Sequence, residues 1–311
     1  MNRAGMLMCI ASAACFGSMA IFGKLLYDEG ATVGTLLALR FAIAAVLFWL
    51  IAAMSGGLGA LRLLSRRDLR VAVALGALGY ALQASAYFAA LRRIDASLLA
   101  LLLYTFPAIV TVASIVLGRE RAERRLIGAL ALSSSGLILV VAGAGTGALD
   151  PLGVALALAA ACVYSAYILV SEGVSARVRP QLLSALVCSG AAVTLTIGSL
   201  ALGQLQPGDL TAAGWGWMGC IAVISTVAAV SLFFAGLRRA GASSAAILST
   251  VEPLVTVLLA YLVFGEHLTG PQMLGGALVL GGVVALSTRP RSAAIRPPHA
   301  RREAGPAAEP A

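Results

Sequence analysis

Charge-free runs recur along this chain and limit what it can fold into. Residues 71–91, 96–118, 126–149, 151–171, 180–208 and 210–237 hold no Asp, Glu, Lys or Arg. Each is as long as a helix that crosses a hydrocarbon core, which needs about 20 residues. Lipid offers the backbone no hydrogen-bond partner, so spanning segments are helices or the strands of closed barrels. The alternating pattern of barrel strands is absent, which leaves helices. Composition agrees: 60% of the 311 residues are hydrophobic and 11% charged, against roughly 45–50% and 25% in soluble domains.

The pattern predicts an all-α integral membrane protein with ten transmembrane helices: 5–27, 33–54, 71–91, 96–118, 126–145, 152–171, 182–203, 215–237, 242–264 and 270–287. These are called spans one to ten below. Arg3 and the "SAAC" of Ser12–Cys15 give span one some look of a cleaved leader. Its apolar run continues to Phe22, so it reads as an uncleaved first helix.

Placing the N-terminus in the cytoplasm puts 18 of the 22 basic residues on the inner side, as the positive-inside rule requires. Lys24, Arg92 and Arg93 fall outside, and Arg40 lies within span two. Both termini are then cytoplasmic, in a bacterial-type inner (plasma) membrane. The net charge of +9 is mostly this topology signal and gives no reason to invoke nucleic acid. The five cysteines lie within spans without metal-ligand spacing, so no metal, cofactor or disulfide framework is expected. Residues 289–311, rich in Pro, Ala and Arg, read as a disordered cytoplasmic tail.

The chain also repeats itself. Shifted by 146 positions, "FAALRRIDASLLALLLYTFPAIV" (88–110) lies over "FAGLRRAGASSAAILSTVEPLVT" (234–256), and 14 of the 53 positions from 88 to 140 are identical. Pro107 meets Pro253, Glu120 meets Glu266 and Gly136 meets Gly282. Two five-helix repeats follow, 1–145 and 146–288. Five is odd, so the second repeat starts on the opposite side of the membrane. Inverted repeats of this kind build secondary transporters, with the substrate near the midplane.

"FGSMAIFGK" in span one, "LALRF" in span two and "YTFPAIVTVASIVLGRE" in span four carry a family resemblance. "AAACVYSAYILV" in span six and "VEPLVTVLLAYLVFGEH" in span nine extend it. The chain resembles the drug/metabolite transporter superfamily, specifically the EamA-like permeases, over residues 5–287. "LGRE" departs from the family pattern by the arginine between glycine and glutamate. The resemblance implies export of amino acids or other small metabolites, in some members driven by proton exchange. It also implies a central cavity bordered by spans one, three, four, six, eight and nine.

Ionisable residues inside a membrane are functional candidates, because each costs about 2.5–3.5 kcal/mol at mid-span. Glu252 stands where the first repeat has Phe106, so neither symmetry nor packing requires it. It would carry a proton or a cationic group of the substrate; the alternative is a carboxylate that only fastens helices. Ser249, Glu252 and Thr256 share one helix face by spacing. Arg40 would anchor a substrate carboxylate or pair with an acid, or else snorkel toward the headgroups, and the last reading is preferred. Lys24, nearer the surface, also reads as snorkelling. Tyr80, Gln83 and Tyr87 in span three and Tyr164 and Tyr167 in span six offer aromatic surface with polar tips. Tyr104 in span four joins the candidate substrate or coupling residues. Pro107 and Pro253 interrupt matched helices and free the carbonyls of Leu103 and Ser249, the best pointer to a transport site. Glu120 and Glu266 read as solvated helix ends. The glycines of 275–282 read as close packing, with a dimer face as the alternative.

These observations favour a secondary transporter for small organic metabolites, probed first with amino acids, with protons as a second partner. A membrane-embedded enzyme would need a nucleophile or acid–base cluster near an interface, and none is seen. A non-transporting assembly protein would leave both the repeat and Glu252 without a purpose. No Walker A pattern is present.

Overall fold

The computed structural model describes residues 3–118, 124–143, 150–240 and 242–287. Among these residues it is all helix and turn, with no strand. In chain order the helices are α1 (Arg3–Gly17), α2 (Met19–Asp28), α3 (Val33–Met54), α4 (Leu58–Arg62), α5 (Arg66–Ala74) and α6 (Ala81–Leu91). Next come α7 (Ala96–Leu103), α8 (Phe106–Val116), α9 (Arg124–Gly143), α10 (Pro151–Ser175) and α11 (Pro180–Ala201). α12 (Ala212–Ala222), α13 (Ala229–Ala240), α14 (Ala242–Ser249), α15 (Val251–Phe264) and α16 (Gly270–Ser287) complete the chain. Eight helical rods are long and apolar enough to cross a membrane: 3–28, 33–54, 66–91, 96–116, 151–175, 180–201, 212–240 and 247–264. They coincide with spans one to four and six to nine. Shorter apolar helices, Ile127–Gly143 and Gly270–Ala285, occupy spans five and ten. Glu120 and the predicted tail lie outside the described residues.

Rod ends follow from local chemistry. Thr32, Ser65, Asp150 and Thr211 each accept a hydrogen bond from a first-turn amide of α3, α5, α10 and α12. A first-turn N–H has no partner inside its own helix, and each cap satisfies one of these amides, or two at Asp150. Gly265 ends α15 in the left-handed region at φ 66°. Its amide donates to Tyr261 O, and the Glu266 amide donates back to Ala260 O. That turn reverses the chain and presents Glu266 to α7.

Four rods are broken near mid-length, and a fifth has a break at Ser18 between α1 and α2. Span three passes through a π-helical turn at Leu75–Tyr80 and span eight through another at Val223–Ala228. Span four breaks at Tyr104–Thr105 and span nine at Thr250, each just before its proline. Pro107 and Pro253 therefore open new helices instead of bending continuous ones, because a first-turn proline has no amide to miss.

The rods pair across the two halves. α1 and α2 pack on α13 and α12, α10 on α6, α3 on α11, α7 on α15 and α9 on α16. Exchanging the halves leaves this set of pairings unchanged. Glycines make the closest contacts. A Cβ on Gly5 would lie 2.6 Å from Arg239 Cβ, and one on Gly153 would lie 2.9 Å from Arg93 Cβ. A Cβ on Gly136 or Gly275 would lie 2.6 Å from the other's carbonyl oxygen, and one on Gly282 would meet Ala129 O and Ser133. Arg93 and Arg239, Ala129 and Gly275, and Gly136 and Gly282 are partners in the 146-residue register. The glycines of span ten are thus spent within the chain, Gly275 and Gly282 on α9 and Gly276 on Leu101.

Candidate functional site

The break before Pro253 puts the last residue of α14 and the first turn of α15 opposite Tyr104. The Tyr104 hydroxyl lies 2.5 Å from Ser249 O and 3.0 Å from Glu252 Oε2. Ser249 O is the carbonyl that the proline frees, and here it gains a side-chain partner. The Ser249 hydroxyl itself turns back to Ala245 O at 2.9 Å, so this residue serves the site through its backbone. Thr256, expected on the same face, donates to Gly17 O at 2.9 Å and ties α15 to α1. Gly17 is needed there, since a Cβ on it would sit 2.7 Å from Glu252 O. The Leu103 carbonyl of the other half receives no side-chain donor among the described residues. Instead Thr105 bonds Leu102 O at 2.7 Å and Ser165 reaches Phe106 O at 3.2 Å.

Arg40 is not at the headgroups. It is 1% exposed, so snorkelling, the reading preferred from its depth, is replaced by an interior position. Its Nε donates to Thr226 Oγ1 at 2.8 Å, and the Thr226 hydroxyl donates in turn to Ile221 O at 2.9 Å. Thr226 belongs to the π-helical turn of span eight, whose wider winding brings it to α3. The guanidinium carbon lies 5.0 Å from the Phe41 ring centre and 5.4 Å from that of Phe88. Such cation–π contacts contribute roughly 0.5–2 kcal/mol. They do not replace hydrogen bonds, and Arg40 Nη2 is buried with no partner among the described residues.

A chain of aromatic rings links the two charged residues. Phe41 meets Tyr80 at 4.9 Å, Tyr80 meets Tyr167 at 5.9 Å and Tyr167 meets Tyr164 at 6.2 Å. Tyr164 then meets Phe106 at 4.8 Å, and Phe106 meets Tyr104 at 5.7 Å. Phe41 follows Arg40, and Tyr104 touches Glu252, so the string runs from one charge to the other. Tyr80 closes the π-helical turn of span three. Gln83, one turn on, is buried, and no hydrogen bond involves its side chain among the described residues. Of the predicted residues, Tyr104, Ser249 and Glu252 meet directly. Tyr80, Tyr164 and Arg40 join them through rings. Pro107 and Pro253 place the breaks.

A second cluster lies at the end of the rods that carries Lys24. Lys24 Nζ is 2.6 Å from Glu266 Oε1 and 3.7 Å from Asp95. The same Glu266 carboxylate accepts from the Ala96 and Ser97 amides at 3.1 and 3.0 Å and from the Ser97 hydroxyl at 2.8 Å. Asp95 precedes α7 but makes no capping bond. Glu266, arriving from span nine, takes that role. Its side chain is 6% exposed, so the solvated end expected from sequence is a buried clasp joining spans one, four and nine. Burial pushes this carboxyl up, but the bonds from Lys24 and Ser97 outweigh it and hold the group below its ordinary value. The signal in sequence was "FGEH" itself, a left-handed glycine followed by an acid.

Two copies of one family profile, described as the EamA-like transporter family, match residues 3–142 and 151–288. The chain belongs to this family. EamA-like relatives include the uncharacterized transporter YcbK of Bacillus subtilis, 27% identical over 296 residues, 92% of each chain. YwfM, an uncharacterized transporter of the same organism, is 33% identical over 165 residues, 52% of this chain and 54% of its own. An uncharacterized transporter of Archaeoglobus fulgidus is 29% identical over 203 residues, 65% of this chain and 71% of that one. The fold is shared with a crystal structure of a protein 19% identical, with a TM-score of 0.63 over 93% of this chain and 98% of the other. The chain is thus a multi-pass helical membrane protein of a transporter family.

Proposed function

We propose that this EamA-like chain is a secondary transporter that exports small organic metabolites, amino acids or related compounds, across the plasma membrane in exchange for protons. Its ten spans form two inverted five-helix repeats, with both termini cytoplasmic, and it works by rocking one repeat against the other. The exchange-invariant pairings, the register-matched glycine contacts and the double family match support the repeat. Alternating access then follows from the architecture.

One observation carries the proton reading. Tyr104 has a single hydroxyl proton and faces two acceptors, Ser249 O at 2.5 Å and Glu252 Oε2 at 3.0 Å. A neutral Glu252 closes the count: its own O–H bonds Tyr104 Oη, and Tyr104 bonds the carbonyl. An ionised Glu252 leaves that bond shared and a charge inside the bundle without a cation. No ion pair among the described residues includes Glu252. The site therefore favours a carboxyl that takes a proton in this state and releases it in another.

The test is release of a labelled amino-acid pool from proteoliposomes, with and without an imposed pH gradient. Release above protein-free vesicles that steepens with an inward-directed proton gradient is the expected result. Release indifferent to the gradient removes proton exchange, and no release removes amino acids as substrates.

A further inference from the structure

We propose that Arg40 is the anion subsite of the transport pathway and takes the carboxylate of a substrate whose aromatic or apolar body lies along the Phe41–Tyr80–Tyr167 rings. This rests on the transport reading above and names the chemistry its substrate must carry.

A guanidinium has five N–H groups in a planar fork and no acceptor. The Nε group is used by Thr226 Oγ1 at 2.8 Å, and Thr226 must accept because its own hydroxyl donates to Ile221 O. Nη2 is sealed inside the protein without a partner. The guanidinium also donates toward the Tyr80 hydroxyl, from the π-helical turn of span three. No ion pair among the described residues includes Arg40. An arginine kept for packing would spend its fork on carbonyls or an acid. This one is held by its Nε, by Tyr80 and by the flanking rings of Phe41 and Phe88, with Nη2 left over.

That posture fits one ligand class. A carboxylate accepts two parallel N–H bonds from an arginine fork, and the charge on both sides strengthens them. The second half of the chain shows that packing does not need the cation. α3 and α11 are offset by 147 residues at both ends, which sets Val187 where α3 has Arg40. Both π-helical turns converge here as well, one delivering Thr226 and the other Tyr80, whose ring lies 4.9 Å from Phe41. Such turns recur at functional sites because the extra residue re-aims side chains. The rings supply an aromatic wall next to the fork, and the buried Gln83 amide supplies a further unused polar group on the same rod.

The experiment compares benzoate with benzamide, two probes of one shape that differ in charge, on the purified full chain in detergent. Binding is read by calorimetry and by the shift in melting temperature at constant ionic strength. In the unaltered chain benzoate binds about tenfold or more tightly than benzamide, the discrimination expected of one charge-assisted hydrogen bond or more. In Arg40→Gln the two probes bind within about twofold of each other. Equal binding of both probes, or of neither, by the unaltered chain overturns the proposal, and that comparison needs no variant to fold. So does a benzoate preference that survives in Arg40→Gln. The transport reading fails separately: if benzoate binds through Arg40 but vesicles release no solute, the subsite stands and the carrier does not. Carrier activity untouched by Arg40→Gln, with no benzoate preference, leaves the carrier standing and removes the subsite.

Discussion

Glu266 shows how a residue near a helix end becomes structural. Its carboxylate takes two amides and a hydroxyl from the start of α7 and pairs with Lys24, all within 3.1 Å. Its folded-state pKa lies below the ordinary carboxylate value of 4.5. A group so shifted adds stability that is present above that value and lost as pH falls through the lower folded value. Glu266→Gln should therefore melt earlier than the parent at neutral pH, by about 1–3 kcal/mol in stability, since it loses charge-assisted bonds. The gap should narrow below about pH 4.5 as the parent carboxyl protonates. Melting curves of both chains from pH 7 to pH 3.5 check this. A constant gap would mean that the clasp does not depend on ionised Glu266. At the same scale, Glu252 was legible as costly, but its partner was not. Tyr104 lies 148 residues away in sequence, and only the break before Pro253 turns the two together. Arg40 was legible as a charge in a span, but depth along a rod does not reveal which way a side chain faces.

Elements were easier to read than their irregularities. The apolar runs gave the rods, because lipid leaves the backbone no other way to bond itself. The paired prolines marked the breaks in spans four and nine, because proline fits a helix only in its first turn. The π-helical turns at Leu75–Tyr80 and Val223–Ala228 had no such marker. Each is one surplus residue held by packing against neighbouring rods, and α11 lies against the first so closely that a Cβ on Gly76 would fall 1.9 Å from Val187 O. The glycine pattern of span ten was legible as close packing; its partner became visible only with α9 in place. Gly275→Val tests that contact. A side chain there meets Gly136 O and the Val140 amide within 2.7 Å, so overpacking should cost about 1–3 kcal/mol and lower the melting temperature. The same change at Gly270, which has open space around it, should cost far less by the same measurement. Equal losses at both positions would show that the branched side chain, and not the contact, was responsible.

For the molecule as a whole, a scaffold that is nearly indifferent to exchange of its halves carries chemistry that is not. Gly136 and Gly282, like Arg93 and Arg239, answer one another across the repeat. Glu252 faces the place of Phe106, and Arg40 that of Val187. In the account proposed here the symmetric part supplies two equivalent poses, and the unmatched charges decide what crosses between them and what drives it. The most direct test of that account is solute release from proteoliposomes holding either the parent chain or Glu252→Gln, measured with and without a pH gradient beside solute exchange at equal pH. The account predicts that the variant inserts and folds, loses the response to the gradient, and keeps exchange or loses flux altogether. Flux by Glu252→Gln that still follows the pH gradient as the parent's does would contradict it.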